Sequence, residues 1–284
     1  MKPKYISPDG SIRLYLGDCM EVLANLKKES ADIAMTSPPY NIKGGEHPCS
    51  GMFGNTRRAR PLKITQEWYE DNMSEEKYWE WINEVVAQLR RVCKGLVWVN
   101  HKVRFFEREA IHPVRMIQQP IYSEVIWNRF GSTLFNCKKF SQSHEGVWGF
   151  GIPHWWNNDC NKSLTVWNIN PQVSTQHPCP YPVELAKRPI EASCPPDGIT
   201  IDPFMGIATT GVACIEAGRH FIGIEKDPKY FKKAVARIEK TLSAPKLFRK
   251  PIGQKKPSLG LITKKPKKEQ SHAQANTRQR LTNP

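Results

Sequence analysis

The segment Ile201-Asp202-Pro203-Phe204-Met205-Gly206-Ile207-Ala208-Thr209-Thr210-Gly211 concentrates residue types that can do chemistry in this 284-residue chain. A short β-branched run ends at an acid, a glycine turn follows, and a helix opens with threonines whose hydroxyls can satisfy its free N–H groups. In a doubly wound sheet such a strand end is where ligands bind, and glycine lets backbone approach them closely. Further on, the apolar run Phe221–Ile224 ends at Glu225. A carboxylate at the tip of a neighbouring strand can accept both hydroxyls of a ribose, which suits a nucleoside cofactor. Either half alone also reads as an ordinary structural strand–turn–helix. A third segment, Asp32–Thr36, runs as a strand straight into the rigid turn Ser37-Pro38-Pro39-Tyr40.

The elements that must position these residues follow from periodicity. Ile12–Leu16 reads as a strand stopping at Gly17-Asp18, with Asp18 as the cap of a helix whose apolar positions are Met20, Val22, Leu23 and Leu26. Ser74–Val92 is the strongest helix, with Ser74 at its N-cap and an apolar stripe from Tyr78 to Val92; Gly95 ends it, and Leu96–Val99 follows as a buried strand. Ser123–Trp127 and Gly146–Phe150 are further strands. Pro182–Arg188 is helical, with Pro189 kinking or ending it. Ile199–Ile201 and Phe221–Ile224 are strands, and Thr209–Ala217 and Tyr230–Leu242 helices. This alternation predicts an α/β fold: a doubly wound, mostly parallel sheet covered on both faces. Two stretches interrupt it, the arginine-bearing loop 43–67 and the irregular, tryptophan-rich 128–176.

Composition narrows the partners. The formal net charge is +15, and Pro245–Pro284 holds eleven Lys/Arg against the single acid Glu269, so most of the excess sits in the last forty residues. That tail has no aromatic after Phe248 and reads as disordered, with a polyanion as its natural partner and a plain solubilising role as the alternative. No apolar stretch approaches the ~18 residues that span a bilayer, and Met1–Gly10 has no signal-peptide core, so no membrane partner is expected. Eight cysteines form no CxxC pair and show no zinc-like Cys/His spacing; they are expected to be thiols in a reducing compartment, with no structural metal and no disulfide.

Taken together, Thr36–Tyr40, Asp202–Gly211 and Phe221–Glu225 resemble the amino-group DNA methyltransferases that use S-adenosylmethionine, in the permuted order that puts the catalytic motif first. The likeness spans Ile12 to Leu242. It implies the Rossmann-like methyltransferase fold over residues 1–244, with 128–176 as an irregular target-recognition insertion, and 245–284 as the disordered tail. It also implies roles. Ser37 and the Pro38 carbonyl would accept hydrogen bonds from the exocyclic amine of the target base, keeping a lone pair on nitrogen. Pro38 and Pro39 would stiffen the turn and offer no competing N–H. Tyr40 would stack on the flipped base. Asp202, Pro203, Phe204, Gly206, Thr209 and Thr210 would shape the methionine end of the cofactor pocket, Glu225 would bind ribose, and Asp18 would lie near adenine. His177–Pro182 resembles the aromatic element that flanks the cofactor. Transfer would be direct displacement from sulfonium to nitrogen, with positioning supplying most of the catalysis.

The implied partner is double-stranded DNA in a prokaryotic or phage-infected cytoplasm, and a cognate restriction endonuclease is a candidate second partner. Arg57, Arg58 and Arg60 suit phosphates or a guanine edge, with a solvated surface loop as the alternative; Lys102 and Arg104 are within chain reach of phosphate but read as ordinary surface charge. Ser37 at the first position of the tetrapeptide favours N4 of cytosine, with N6 of adenine the alternative. An RNA methyltransferase and a catalytically weak nucleic-acid-binding protein on the same fold are the rival readings. Pro178-Cys179 does not make the chain a cytosine-C5 enzyme, because the acidic Glu-Asn-Val partner is absent. Where the family has a second glycine, this chain has Ala208, whose methyl is expected to lower cofactor affinity.

Overall fold

The alternation of strands and helices is present in the computed structural model, which describes residues 1–41, 73–106, 109–131, 140, 142–172 and 181–244. The loop 43–67 with Arg57, Arg58 and Arg60, the segment 173–180 and the tail from 245 lie outside the described residues. In chain order the elements are β1 (Tyr5–Ile6), β2 (Ile12–Leu16), α1 (Cys19–Asn25), β3 (Ile33–Thr36), α2 (Glu75–Val92), β4 (Val97–His101), β5 (Arg104–Phe106), β6 (Glu109–Ile111), α3 (Pro113–Met116), β7 (Ile121–Asn128), β8 (His144–Phe150), β9 (Val166–Asn168), α4 (Val183–Ser193), β10 (Ile199–Asp202), α5 (Thr209–Ala217), β11 (His220–Glu225) and α6 (Pro228–Ser243).

Among the described residues, nine strands form one sheet in the order β1-β2-β11-β10-β3-β4-β8-β7-β9, and β5 and β6 pair separately. The five central strands β2, β11, β10, β3 and β4 are mutually parallel. β8 joins β4 antiparallel, so the sheet is mixed at that end. Successive side chains of a strand face opposite sides. Ile33 and Met35 of β3 accordingly enter one core with α4, α5 and α6 residues such as Leu185, Ala213 and Ile238. Ala34 enters the other with Val22, Ile82 and Leu89 of α1 and α2. A parallel sheet buried on both faces is the result.

The winding fixes where a ligand can enter. From β3 the chain passes through α2 to β4 on one side; from β10 it passes through α5 to β11 on the other. β3 and β10 are neighbours, so the strand order reverses between them, and the crevice at their carboxyl ends is the switch point of the sheet.

Three elements differ from the sequence reading. α4 runs through Pro189 to Ser193. Leu185, Ala186, Ile190 and Ala192 are all buried around the proline, and this packing outweighs the one backbone bond that proline forfeits. α5 is not capped by its threonines: its N-cap is Ala208, which makes no side-chain cap bond, because both hydroxyls are engaged elsewhere. The stretch 128–176 is partly regular. It contributes β8, expected as Gly146–Phe150, and the edge strand β9, which has no counterpart in the sequence reading and pairs with β7; Trp148 and Trp167 are core residues.

At the opposite end of β3, Asp32 ties three elements together. Its Oδ2 accepts the Ile199 N–H at 2.7 Å, and Oδ1 faces Lys94 Nζ at 2.9 Å and His154 Nε2 at 3.1 Å. Burial works to raise its carboxyl pKa, but the Ile199 N–H and the Lys94 ammonium hold it below the ordinary carboxylate range. A carboxyl depressed on folding stabilises above its unfolded pKa, and the gain is lost as pH falls through the folded value. Asp32→Ala should lower the unfolding free energy by about 2 kcal/mol near pH 7. Urea denaturation should show the gap to wild type closing as the pH drops below about 4.

Candidate active site

Thr36 ends β3 and Asp202 ends β10, and the two side chains meet: Thr36 Oγ1 donates to Asp202 Oδ1 at 2.7 Å. The Phe204 N–H also donates to Oδ1, at 3.0 Å. Thr210 Oγ1 at 2.6 Å and the Tyr181 hydroxyl at 3.1 Å donate to Oδ2, and Tyr181 and Thr210 also bond each other. An ionised carboxylate offers about four acceptor positions, and here four donors reach it. Asp202 is fully buried; desolvation raises its pKa, opposed by the hydrogen bonds from Thr210, Thr36, Phe204 and Tyr181. The same burial, with the Asp202 charge beside it, pushes the Tyr181 phenol well above its ordinary range.

After Thr36 the chain turns through Ser37, Pro38, Pro39 and Tyr40 into Asn41, which adopts a left-handed φ of 50°. Asn41 locks the turn by exchanging two bonds of 2.9 Å with the backbone of Met73, just before α2. The Tyr78 hydroxyl of α2 lies 2.8 Å from the Pro39 carbonyl and 2.7 Å from His101 Nε2, at the end of β4. Arg104, which reads as ordinary surface charge in the sequence, pairs with Glu75 at 2.6 Å and donates to the Asn41 carbonyl at 3.0 Å. Its guanidinium lies over the Tyr78 ring, so it belongs to the scaffold. Lys102 sits over the Tyr40 ring.

Two polar residues that the sequence reading passed over sit beside the turn. Asn100 of β4 is fully buried, and its Nδ2 donates to Glu145 Oε2 at 3.2 Å and to the Gly146 carbonyl at 3.1 Å. These bonds turn its Oδ1 toward the turn, where it accepts from Ser37 Oγ and from the Tyr40 hydroxyl, each at 3.2 Å. Glu145 of β8, 5% exposed, receives the Tyr40 hydroxyl on Oε2 at 3.0 Å and Arg129 on Oε1 at 2.7 Å. Ser37 Oγ and Tyr40 Oη are themselves 3.0 Å apart. The Tyr40 ring rests 4.7 Å from that of His101, tilted by 46°. The signal for Asn100 is its place at the carboxyl end of a strand next to β3; for Glu145 it is a lone acid just before the apolar run of β8.

On the other side of the switch point lies a second set. Gly206 takes a left-handed φ of 53°, and its N–H donates to Glu225 Oε2 at 2.9 Å. Glu225 Oε1 accepts from the Asp227 N–H at 2.8 Å, and the Gly17 N–H donates to the Glu225 carbonyl at 2.9 Å. The tips of β2, β11 and β10 thus stand side by side. Asp18 caps α1 through the Met20 N–H at 2.8 Å, as expected. Phe204 packs against Trp81 of α2, and Pro203 is buried. Thr209 Oγ1 accepts from Arg237 at 2.9 Å, so the hydroxyls of Thr209 and Thr210 both serve the interior. Ala208 is left-handed at φ 59°, and its methyl is fully buried in the core with Met205 and Phe231. The cost of alanine there is backbone strain of ~1 kcal/mol, not a methyl in the crevice.

This donor set fits a nucleoside with a charged tail. Each Glu225 oxygen accepts a backbone bond, which fixes the carboxylate at the tip of β11 beside the glycine turn. Asp202 has its acceptor positions met from within the chain, and what it does there is hold the two turns in place.

A family model described as DNA methylase matches residues 31–236, most of the chain. The chain belongs to the N6/N4 DNA methylase family. The type II methyltransferase M2.MboI of Moraxella bovis is 26% identical over 259 residues, covering 84% of this chain and 91% of the relative. The type II methyltransferase M.ScaI of Streptomyces caespitosus is 28% identical over 282 residues, covering 84% of both. The fold is shared with the cytosine-N4-specific PvuII DNA methyltransferase, at a TM-score of 0.63, 18% identity and coverage of 85% of this chain and 93% of that one. It is shared also with a DNA modification methylase of Thermus thermophilus, solved with S-adenosyl-L-methionine, at a TM-score of 0.59, 19% identity and coverage of 82% and 96%. The methyltransferase fold and the amino-methylase family expected from the motifs are therefore correct. Among the described residues no helix is long and apolar enough to cross a membrane.

His101 has a consequence of its own for this methylase. Burial, with Arg104 and Lys102 nearby, lowers its pKa from 6.5 to about 3, against a raising bond to the Lys102 carbonyl. Imidazole ¹⁵N shifts should keep neutral values from pH 8 to 5, and the stability of the fold should decline as pH falls below 6.5, because the unfolded chain then takes up the proton first.

Proposed function

We propose that this methylase transfers a methyl group from S-adenosylmethionine to N4 of a cytosine flipped out of double-stranded DNA. Support comes chiefly from the bond between Thr36 and Asp202, which sets the turn Ser37–Tyr40 beside the turn Asp202–Gly211 at the switch point. Glu225 binds the ribose of the cofactor, Asp18 lies toward its adenine, and Asp202, Pro203, Phe204 and Gly206 form the wall at its methionine end. When bound, the cofactor supplies an electrophilic methyl group on a sulfonium. The chain does the rest by orientation.

Ser37 donates its own proton to Asn100 Oδ1, which leaves its lone pairs to accept from the exocyclic amine. With the Pro38 carbonyl as second acceptor, the amine is held so that its lone pair leaves conjugation with the ring. Tyr40 stacks on the extruded base. Serine as the first residue of the tetrapeptide supports cytosine over adenine. Residues 1–244 constitute the catalytic domain, 128–176 and the arginines 57, 58 and 60 read the DNA, and the basic tail 245–284 adds phosphate affinity.

The test is mass spectrometry of nucleosides from the DNA of a methylation-free host expressing the chain. N4-methylcytosine is expected, and Ser37→Ala should reduce it by about 100-fold through lost positioning. N6-methyladenine would overturn the cytosine assignment, and an unchanged yield from Ser37→Ala would overturn the role of the turn.

A further inference from the structure

An exocyclic amine that attacks through its lone pair gains a carbon and is left with one proton too many. In a site walled by buried side chains that proton needs a path out. Resting on the reading above, the groups behind Ser37 provide one. Ser37 Oγ is 3.0 Å from Tyr40 Oη, and Tyr40 Oη is 3.0 Å from Glu145 Oε2. Each hydroxyl has one proton to give and lone pairs with which to receive another. Of the two side chains behind these hydroxyls, the Asn100 amide cannot take a proton and the Glu145 carboxylate can. Glu145 is the second residue of β8, and the five that follow it, Gly146 to Phe150, are apolar or glycine, so burying a carboxylate there carries a large desolvation cost. A glutamine would offer Tyr40 an acceptor without that cost; what it would not offer is a base.

We propose that Ser37, Tyr40 and Glu145 form a relay that carries the surplus proton away from the methylated amine, with Glu145 as its terminal acceptor. The amine N–H bond breaks as a proton joins Ser37 Oγ. The Ser37 hydroxyl turns its original proton from Asn100 Oδ1 to Tyr40 Oη and passes it there, and the Tyr40 proton passes to Glu145 Oε2, which becomes a carboxylic acid. One proton moves in net, both hydroxyls are restored, and no electrons are exchanged with any other group. Arg129, paired to Glu145 Oε1 at 2.7 Å, supplies the counter-charge, and its side chain, 29% exposed, marks the side on which the proton returns to solvent. Asn100 fixes the geometry: its Nδ2 holds Glu145 Oε2 while its Oδ1 orients Ser37 and Tyr40. The same line of dipoles, ending in a negative charge, stabilises the positive charge that grows on the amine during transfer. Glu145 acts through Tyr40 and Ser37 and is a positioning residue, not one that touches the base.

The test uses the purified full chain, S-adenosylmethionine and unmethylated genomic DNA in single-turnover experiments. Glu145→Gln and Tyr40→Phe should each slow transfer by about 100-fold, the scale of general-base assistance. KM for DNA and the cofactor Kd from titration calorimetry should stay within about threefold of wild type, because phenylalanine keeps the ring that stacks on the base and Glu145 touches neither ligand. The double variant should be no slower than the slower single variant, since both interrupt one path. Glu145→Asp, which restores a carboxylate, should recover part of the rate. A Glu145→Gln rate within about threefold of wild type, losses that multiply in the double variant, or a defect confined to KM or cofactor Kd would overturn the relay. If Glu145→Gln does not fold, Tyr40→Phe decides alone, and a wild-type rate there sinks the proposal. A wild-type chain that transfers no methyl group would remove the underlying reading; an active wild type with unaffected variants would remove the relay only.

Discussion

Everything in the crevice depends on one buried carboxylate. Asp202 sits where the sheet reverses its winding, and four donors from four places in the chain converge on it: Thr36 from β3, Phe204 from its own turn, Thr210 from α5 and Tyr181 from the entry to α4. Burying a carboxylate is costly unless its acceptor positions are met. The cost is offset only when all four elements are docked, so the charge enforces their joint placement. It also couples two turns, because the one that presents Ser37 and the one that runs from Asp202 to Gly211 both hang from it. A methyl transfer by direct displacement needs a donor and an acceptor held in line, and on the proposed reading this shared anchor is what holds them.

A second layer of polar contacts keeps the catalytic turn from relaxing. Asn41 exchanges bonds with Met73, Tyr78 reaches the Pro39 carbonyl, and Asn100 and Glu145 hold the hydroxyls of Ser37 and Tyr40. None of these partners is close to the turn in sequence. They come from α2, β4 and β8, which are themselves fixed by the two apolar cores on either side of the sheet. The mixed end of the sheet matters here: β8 runs antiparallel to β4, so the start of β8 lies beside the end of β4 and brings Glu145 to Asn100.

What could be read in the sequence was whatever is local or follows a period. Asp18 and Ser74 announce their helices as caps, the stripe of α2 announces its buried face, and the acid–glycine pattern around Asp202 and Glu225 announces a ligand site. Pairings between distant strands are not periodic. Nothing near Glu145 says that β8 will lie against β4, or that Trp167 will close the far edge of the sheet as part of β9. Arg104 looks like surface charge until α2 brings Glu75 to it, and Pro189 looks like a helix end until the core packs around it. The threonines after Ala208 look like caps because threonine at a helix start commonly is one; Asp202 and Arg237 claim their hydroxyls instead.

The central claim is that this chain by itself moves a methyl group onto an amine of DNA. Incubating the purified chain with S-adenosylmethionine labelled in the methyl group, in parallel with unmethylated duplex DNA and with RNA, tests it most directly. Label is predicted in the duplex alone, recovered on the exocyclic nitrogen of cytosine after digestion. Label recovered only from RNA, or none from either polymer while the folded chain binds the cofactor, would contradict it.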